Sequence, residues 1–297
     1  MQGARRPPCA SPLPHLWQCN FPTQGCPVLR FILHALIVIT LTLLTQIGGL
    51  AYLVALAASR AWGIRRFLAK LAIFLLCYVS ASFAAGLAAP AFGRVPLSCM
   101  SNATDRLVVR SPIYCLLNRN YVRPEVRDLA KALAAHMDEE FPGTVTTALD
   151  ANFPFVNGFP LLPHLSHADG KKLDFAYYYK DADGAFLNGV TRSPIGYFAF
   201  EEPAPGDELP CEGRNDWLTT RWDFDALQPL FPAYRIEEQR TSEAVRWLTS
   251  EGVARFRLEK IFIEPHLKNA LGITDSHVRF QGCRAARHDD HLHIQVE

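Results

Sequence analysis

The chain has 297 residues, of which 49% are hydrophobic, and it carries 30 basic and 29 acidic residues. A balance this close to neutral gives no sign of the basic surface that nucleic-acid binding requires. The length allows one or two ordinary domains, but the hydrophobic residues are concentrated in the first hundred positions. We therefore expect a membrane region followed by a soluble region.

Residues 1–30 contain six prolines and show no apolar periodicity. A segment of this composition buries too little apolar surface to offset the entropy lost on ordering it. We predict a disordered tail over residues 1–30.

Two long stretches without Asp, Glu, Lys or Arg follow, 29 residues over 31–59 and 23 residues over 71–93. Each exceeds the roughly 20 residues that a helix needs to cross a bilayer. A buried core helix fits less well, because such helices rarely run this long without a polar face. A cleaved signal peptide would have a shorter apolar region nearer the N-terminus. The sequence predicts two transmembrane helices within 31–93, then a connecting segment over 94–120.

The distribution of Lys and Arg predicts the orientation, because these residues are retained on the cytoplasmic side. The flanking arginines are Arg5, Arg6 and Arg30 before the first span and Arg94, Arg106 and Arg110 after the second. The short loop between the spans carries Arg60, Arg65, Arg66 and Lys70. This slight bias favours a cytoplasmic loop, which places the C-terminal domain outside the cytoplasm. We expect a multi-pass protein of the inner or plasma membrane with a periplasmic domain.

Four cysteines lie in the predicted soluble part, at Cys99, Cys115, Cys211 and Cys283. Disulfides persist outside the cytoplasm, so Cys99 with Cys115 and Cys211 with Cys283 is a plausible pairing among three possible ones. No CxxC motif occurs, and this argues against a structural zinc knuckle.

The rest of the chain, residues 121–297, mixes helices and strands without a regular βαβ repeat. We predict helices over 124–140, from Thr241 or Ser242 to Thr249, and over 265–271, with a surface loop over 201–213. We predict strands over 144–149, 173–179, 195–200, 256–263, 277–281 and 291–296. This pattern indicates an α+β fold with a mainly antiparallel sheet.

Two clusters concentrate metal-ligating side chains at the ends of predicted elements. In the first, His167 lies in the loop before a strand and Asp174 lies within that strand, while Gly170 allows the intervening chain to turn. In the second, His288 precedes the last strand, where His291 and His293 share a face because they are two residues apart.

These residue types indicate a catalytic metal site. Two imidazoles and a carboxylate give zinc three protein ligands and leave a fourth position for water, as in catalytic zinc sites. The remaining histidine of the strand face, His291, can then accept and deliver a proton. His164 could replace His167 as a ligand, but it lies ten residues before Asp174 in a loop that contains proline.

The pattern His-x6-Asp followed far downstream by His-x-His resembles the lysostaphin, D-Ala-D-Ala peptidase and hedgehog superfamily of zinc domains. The likeness is nearest to the penicillin-insensitive murein endopeptidases, in the motifs Ser-His-x-x-Gly before the aspartate and His-Asp-x-His-x-His near the end. Residues 260–271 also resemble the strand and helix that precede the last motif in that family. The resemblance covers roughly residues 124–296.

The resemblance implies a zinc peptidase domain over residues 121–297. It implies Zn²⁺ ligands at His167, Asp174 and His293, with His291 in the position of the catalytic base and His288 as a supporting polar residue of the catalytic site. The implied substrates are peptides of bacterial peptidoglycan. The chain departs from the family at Lys172, where the family usually has an acidic residue, and at Gln295, where it often has arginine.

Three other functions are compatible with these residues. One is hydrolysis of a different small peptide, by a carboxypeptidase or dipeptidase that acts on D-amino acids. The second is a non-catalytic, zinc-stabilised module that binds cell wall, although such a module has no need of a basic group at His291. The third is metal storage or transfer, which favours repeated soft ligands rather than four scattered cysteines.

Overall fold

The computed structural model of the protein describes residues 27–100, 102, 104–214 and 216–297. Most of the predicted tail, residues 1–26, lies outside the described residues, while residues 27–30 belong to the first helix. Within the described part, residues 27–43 and 47–78 form one compact unit, and residues 44–46 and 79–297 form a second.

The apolar region forms helices α1 (Pro27–Thr45), α2 (Gly48–Ala61) and α3 (Phe67–Ala88). Two helical segments, Pro27–Thr45 and Phe67–Phe92, are long and apolar enough to cross a membrane, and α2 is a shorter apolar helix. The prediction of two such helices is confirmed in length and composition.

The uncharged stretch 31–59 does not form one continuous helix, because it contains the end of α1 and most of α2. The chain reverses at Gln46, whose φ of 66° lies in the left-handed region. The two helices run antiparallel, and the Nδ1 atom of His34 lies 2.7 Å from the hydroxyl of Tyr52. A Cβ atom at Gly49 would lie 2.0 Å from the Oγ1 atom of Thr42, so only glycine permits this close approach. Residues 27–61 therefore form a helical hairpin.

The second unit contains strands and short helices in an α+β arrangement, as predicted. Its described strands are β1 (Val95–Pro96), β2 (Leu107–Val109), β3 (Tyr121–Val122), β4 (Thr146–Ala148), β5 (Lys172–Ala176), β6 (Tyr179–Lys180), β7 (Phe186–Leu187), β8 (Arg235–Ile236), β9 (Leu258–Phe262), β10 (Val278–Arg279) and β11 (His291–Val296). Its shorter helices are α4 (Pro112–Leu116), α5 (Pro124–Glu140), α6 (Glu238–Trp247), α7 (Val253–Phe256) and α8 (Pro265–Ala270).

The main sheet has six strands in the order β10-β9-β11-β5-β4-β2. Its three central pairings are antiparallel, and the pairings of β10 with β9 and of β2 with β4 at the two edges are parallel. The sheet is therefore mixed, with the expected antiparallel arrangement in its centre.

One face of the sheet packs into the hydrophobic core. Leu292 and Ile294 of β11 and Leu173 and Phe175 of β5 are fully buried there, together with the apolar side of α5. Because side chains alternate along a strand, the residues between them point to the opposite face. That face carries Asp174 of β5 and His291 and His293 of β11.

Three predicted elements differ from the structure. Residues 195–200 do not form a strand, because Gly196 and Phe198 have positive φ values of 85° and 68°. The helix predicted from Thr241 begins at Glu238, since the side chain of Glu237 accepts a hydrogen bond from the backbone of Arg240 at 2.7 Å. The single strand predicted over 173–179 is divided between β5 and β6.

The predicted pairing of the four cysteines is confirmed. Cys99 is bonded to Cys115, and Cys211 is bonded to Cys283. The first disulfide lies in the connecting segment before β3. The second joins two segments that are 72 residues apart and connects the 201–213 loop to the chain just before β11.

Candidate metal centre

The antiparallel pairing of β5 with β11 places Asp174 directly opposite His293. His167 comes from the loop before β5, where Gly170 has a φ of 84° and allows the chain to turn, as predicted. The Nδ1 atom of His167 donates a hydrogen bond of 2.6 Å to the backbone carbonyl of Ala151, and this bond orients the ring. The three predicted ligands thus converge from one loop and two adjacent strands.

The three ligands form a compact, buried group that can hold a metal ion. The Oδ1 atom of Asp174 lies 2.9 Å from Nδ1 of His293 and 3.2 Å from Nε2 of His167. These two ring nitrogens are 3.0 Å apart. No side chain of the group is more than 2% exposed, so water contributes little to solvating it.

The hydrogen-bond chemistry of this group fits a cation at its centre. Nδ1 of His167 donates its proton to Ala151, so in the tautomer that carries only this proton the Nε2 atom is an acceptor. Oδ1 of Asp174 is also an acceptor. A proton on Nδ1 of His293 can be donated either to this oxygen or to Nε2 of His167, but not to both. A metal ion satisfies all three atoms, so the donor set fits a bound metal.

The protonation states also favour metal binding. Burial would raise the pKa of Asp174, but His167, His291 and His164 hold it well below its usual range. Burial lowers the pKa of His293 to about 4, although Asp174 opposes this shift. At neutral pH the carboxylate is therefore ionised and His293 is neutral, which are the forms that bind metals.

A second group that can hold a metal ion shares Asp174 and contains His164 and His291. Nδ1 of His164 lies 3.2 Å from Oδ2 of Asp174, and Nε2 of His291 lies 3.6 Å from the same oxygen. This oxygen already accepts a hydrogen bond of 2.6 Å from the hydroxyl of Tyr197. Burial opposes protonation of His164, but Asp174 and Asp150 raise its pKa to about 9. At neutral pH a protonated His164 therefore balances part of the charge of Asp174, while Nδ1 of His164 and Nε2 of His291 have no hydrogen-bond partner among the described residues.

His291 is held beside the first group with one nitrogen unpartnered. Its Nδ1 atom donates to the carboxylate of Asp290, which is acceptor-only when ionised. Its Nε2 atom is buried and has no hydrogen-bond partner among the described residues. Asp290 itself accepts a hydrogen bond of 2.5 Å from the backbone N–H of Phe198. The imidazole is thereby fixed with Nε2 facing Asp174, at 3.6 Å from Oδ2.

His288 lies in the same cluster but forms no hydrogen bond with Asp174 among the described residues. Its ring centroid is 4.9 Å from that of His291 and 5.5 Å from that of His293. Burial and the neighbouring histidines hold its pKa well below the usual range, so the ring is neutral. The structure thus brings together all five predicted site residues, with His288 as a packing neighbour of the other two histidines.

The sequence did not indicate three residues that support the site, namely Asp150, Tyr197 and Asp290. Asp150 forms a buried ion pair with Arg119 and its backbone N–H donates to Tyr197 at 3.1 Å. Asp150 and Tyr197 lie in segments without a motif, and only the position of Asp290 beside His291 could have drawn notice. Lys172, where the resembled family usually has an acidic residue, instead pairs with Asp169 at 2.5 Å.

A small cavity of about 10 Å³ lies on the His291 side of the cluster. It is lined by His164 and His291, and its other walls include Tyr197, Trp222 and Arg287. His291 itself is only 1% exposed.

Comparison with known proteins finds no family model that matches the chain and no curated protein with a similar sequence.

We predict that His293→Ala lowers metal affinity by more than about 100-fold. Removal of a residue that only supports a metal ligand typically costs roughly 10- to 100-fold, and loss of a ligand should cost more. His164→Ala should keep the metal, because His164 belongs only to the second group and its raised pKa of about 9 leaves it protonated at neutral pH. His277→Ala is the matched control, since His277 pairs with Asp275 outside both groups. Bound zinc is measured by elemental analysis of folded protein after dialysis against a zinc buffer. Loss of zinc in His164→Ala with retention in His293→Ala would assign the metal to the second group.

Proposed function

We propose that this protein is a membrane-anchored zinc metallopeptidase that hydrolyses amide bonds in peptidoglycan peptides. The observation that carries the proposal is the buried group of His167, Asp174 and His293 with the acceptor nitrogen of His291 beside it. The resemblance of the two histidine motifs to murein endopeptidases supplies the substrate class.

Zinc held by three side chains supplies Lewis-acid chemistry that activates water and polarises a carbonyl group. The protein's own residues supply the proton transfer. His291 uses Nδ1–H on Asp290, so its Nε2 atom accepts a proton from the attacking water and returns it to the leaving amine. Asp290 holds the ring in the required tautomer, and the Phe198 backbone in turn orients Asp290.

The metal ligands and the proposed base are different residues, and this favours a catalytic site over a purely structural one. A module that only needs zinc for stability gains nothing from an imidazole that Asp290 orients beside the metal ligands. A carboxypeptidase or dipeptidase would use the same residues, so the products distinguish it from an endopeptidase.

The distribution of Lys and Arg supports an extracytoplasmic location for the second unit. Arg60, Arg65, Arg66 and Lys70 lie between the two candidate spans, whereas Arg94, Arg106 and Arg110 follow the second one. Because basic residues are retained on the cytoplasmic side, this bias favours a cytoplasmic loop and a second unit outside the cytoplasm. The two disulfides are typical of the same compartment.

The proposal predicts metal-dependent release of peptides from cell wall. Purified full-length protein in detergent is incubated with purified sacculi, with zinc or with a chelator, and soluble fragments are identified by mass spectrometry. Release of cross-linked peptides as monomers only with zinc supports the endopeptidase. Removal of single terminal residues would indicate the carboxypeptidase, and no release by folded, zinc-loaded protein would favour the binding module.

We predict that His291→Ala lowers kcat by about 10²- to 10⁴-fold, the usual contribution of a general acid–base group, while bound zinc is unchanged. Zinc content and peptide release are measured on the same folded preparation. The control is His277→Ala, which should match the parent in both. Full activity of His291→Ala would show that His291 is not the base.

On topology, a reporter fused after Glu297 should be active only if it is one that functions outside the cytoplasm. Alkaline phosphatase and green fluorescent protein fusions give opposite signals in the two compartments. Fluorescence without phosphatase activity would place the second unit inside the cell, where peptidoglycan is unreachable.

A further inference from the structure

Arg94 is a buried arginine that the mechanism proposed above does not use. Its exposure is 1%, and it lies just after the apolar helical segment Phe67–Phe92. Gly93, with a φ of 70°, ends that helix, and the pairing of Val95 with Val122 fixes the chain directly after Arg94. The backbone of Arg94 is therefore held on both sides.

The guanidinium group of Arg94 binds the loop that carries the candidate ligand His167. We name residues 153–168 the ligand loop. The acceptors of Arg94 on this loop are the backbone carbonyl of Phe153, the Oδ1 atom of Asn157 at 2.6 Å and the backbone carbonyl of Ala168 at 3.3 Å. One side chain thus joins the beginning of the ligand loop to its end, and its last acceptor directly follows His167.

Arg94 also packs on the backbone between two of the candidate ligands. A Cβ atom at Gly170 would lie 3.2 Å from the Nε atom of Arg94, so a side chain at this position would press on the guanidinium group. Gly170 is the residue that allows the chain to turn between His167 and Asp174. The conformation of this turn and the position of Arg94 therefore depend on each other.

Hydrogen bonds from a planar group are well suited to hold such a loop. Nη1 and Nη2 of Arg94 reach acceptors at different points of the loop, whereas a lysine donates from a single nitrogen. None of the three acceptors is a carboxylate, and burying a charge without an opposite charge is costly. The bonds to the ligand loop offset this cost. Three apolar side chains of the loop are exposed and contribute little burial, namely Val156, Leu162 and Leu165.

We infer that Arg94 is a positioning residue for the candidate zinc ligand His167. By joining the two ends of the ligand loop, Arg94 keeps Nε2 of His167 at 3.2 Å from Oδ1 of Asp174 without touching either ligand. The inference rests on the metal site of the proposed function and does not depend on the substrate. It also connects the end of an apolar helical segment to the metal centre through one side chain.

The first test is Arg94→Lys, which keeps the charge and removes the planar group. We expect zinc affinity to fall by roughly 10- to 100-fold, the usual cost of losing a residue that supports a metal ligand. Affinity is measured on zinc-free full-length protein in detergent, by competition with a chelator of known affinity. With cobalt(II) in place of zinc, the visible absorption spectrum should also change, because it reports the geometry of the ligands.

The matched control for this change is Arg240→Lys. Arg240 donates to Thr144 at 3.2 Å and packs on the ring of Phe141, and neither residue belongs to the ligand loop. Zinc affinity should stay within about threefold of the parent value, and the cobalt spectrum should be unchanged.

A second variant, Asn157→Ala, removes one acceptor of Arg94 and changes an exposed side chain only. It therefore remains informative if Arg94→Lys does not fold. Alone it should lower zinc affinity by about three- to tenfold, the effect of one hydrogen bond. Added to Arg94→Lys it should lower the affinity by less than about twofold, because both changes remove the same contact. Asn269→Ala, at an exposed asparagine of α8, is the control and should match the parent.

A zinc affinity of folded Arg94→Lys within about threefold of the parent would overturn the inference, even if the zinc-free protein unfolds at a lower temperature. Fully additive effects of the two substitutions would do the same. If Arg94→Lys does not fold, an unchanged affinity in Asn157→Ala decides against the inference. None of these results alters the release of peptides from sacculi by the parent protein. Conversely, the expected losses of affinity would support the role of Arg94 even if the parent releases no peptide.

Discussion

In the antiparallel pairing of β5 with β11, Asp174 lies opposite His293, and the chemistry of the site depends on this register. The backbone N–H and C=O groups of Asp174 bond to residues 150 and 149 on the β4 side. Asp174 and His293 are therefore a non-hydrogen-bonded pair, the type in which facing side chains approach most closely. A slip of one residue would turn His291 and His293 into the core and bring Leu292 and Ile294 onto the site face. Burial of the apolar residues on the other face thus fixes the metal ligands in place.

The same register buries the carboxylate of Asp174 among imidazoles. The described ion pairs of Asp174 are all with histidines, two on each of its oxygens. Leaving a buried charge incompletely compensated destabilises a fold by several kcal/mol, so a metal ion that bound only the native state would add to its stability. Arg119 compensates the neighbouring Asp150, and this pair keeps a second negative charge from adding to the cost. Metal binding at this group would therefore be coupled to folding of the sheet.

The sequence was sufficient to predict those helices and strands whose local residue pattern matches the way they are buried in the fold. The alternation in 291–296 and the helical spacing in 124–140 were sufficient to define β11 and α5 within their bounds. The two histidine motifs were sufficient to predict the candidate ligands, because the spacing of residues on a strand determines which side chains share a face. Asp150 and Tyr197 could not be predicted, since each enters the site through a contact across the sheet rather than through a local pattern. The strand expected at 195–200 failed for the same reason, because the left-handed residue Phe198 is held by Asp290.

The candidate metal centre and the 201–213 loop are built with different rigidity. The candidate ligands and His291 are attached to strands at the sheet centre or to a loop bonded to them, where neighbours on both sides restrict their movement. The 201–213 loop is exposed for most of its length, and the Cys211–Cys283 disulfide ties it to the chain before β11. Loops tolerate substitution better than buried strands, because their side chains do not fill a packed core. Substitutions in this loop should therefore disturb the candidate ligands and His291 less than substitutions in β5 or β11.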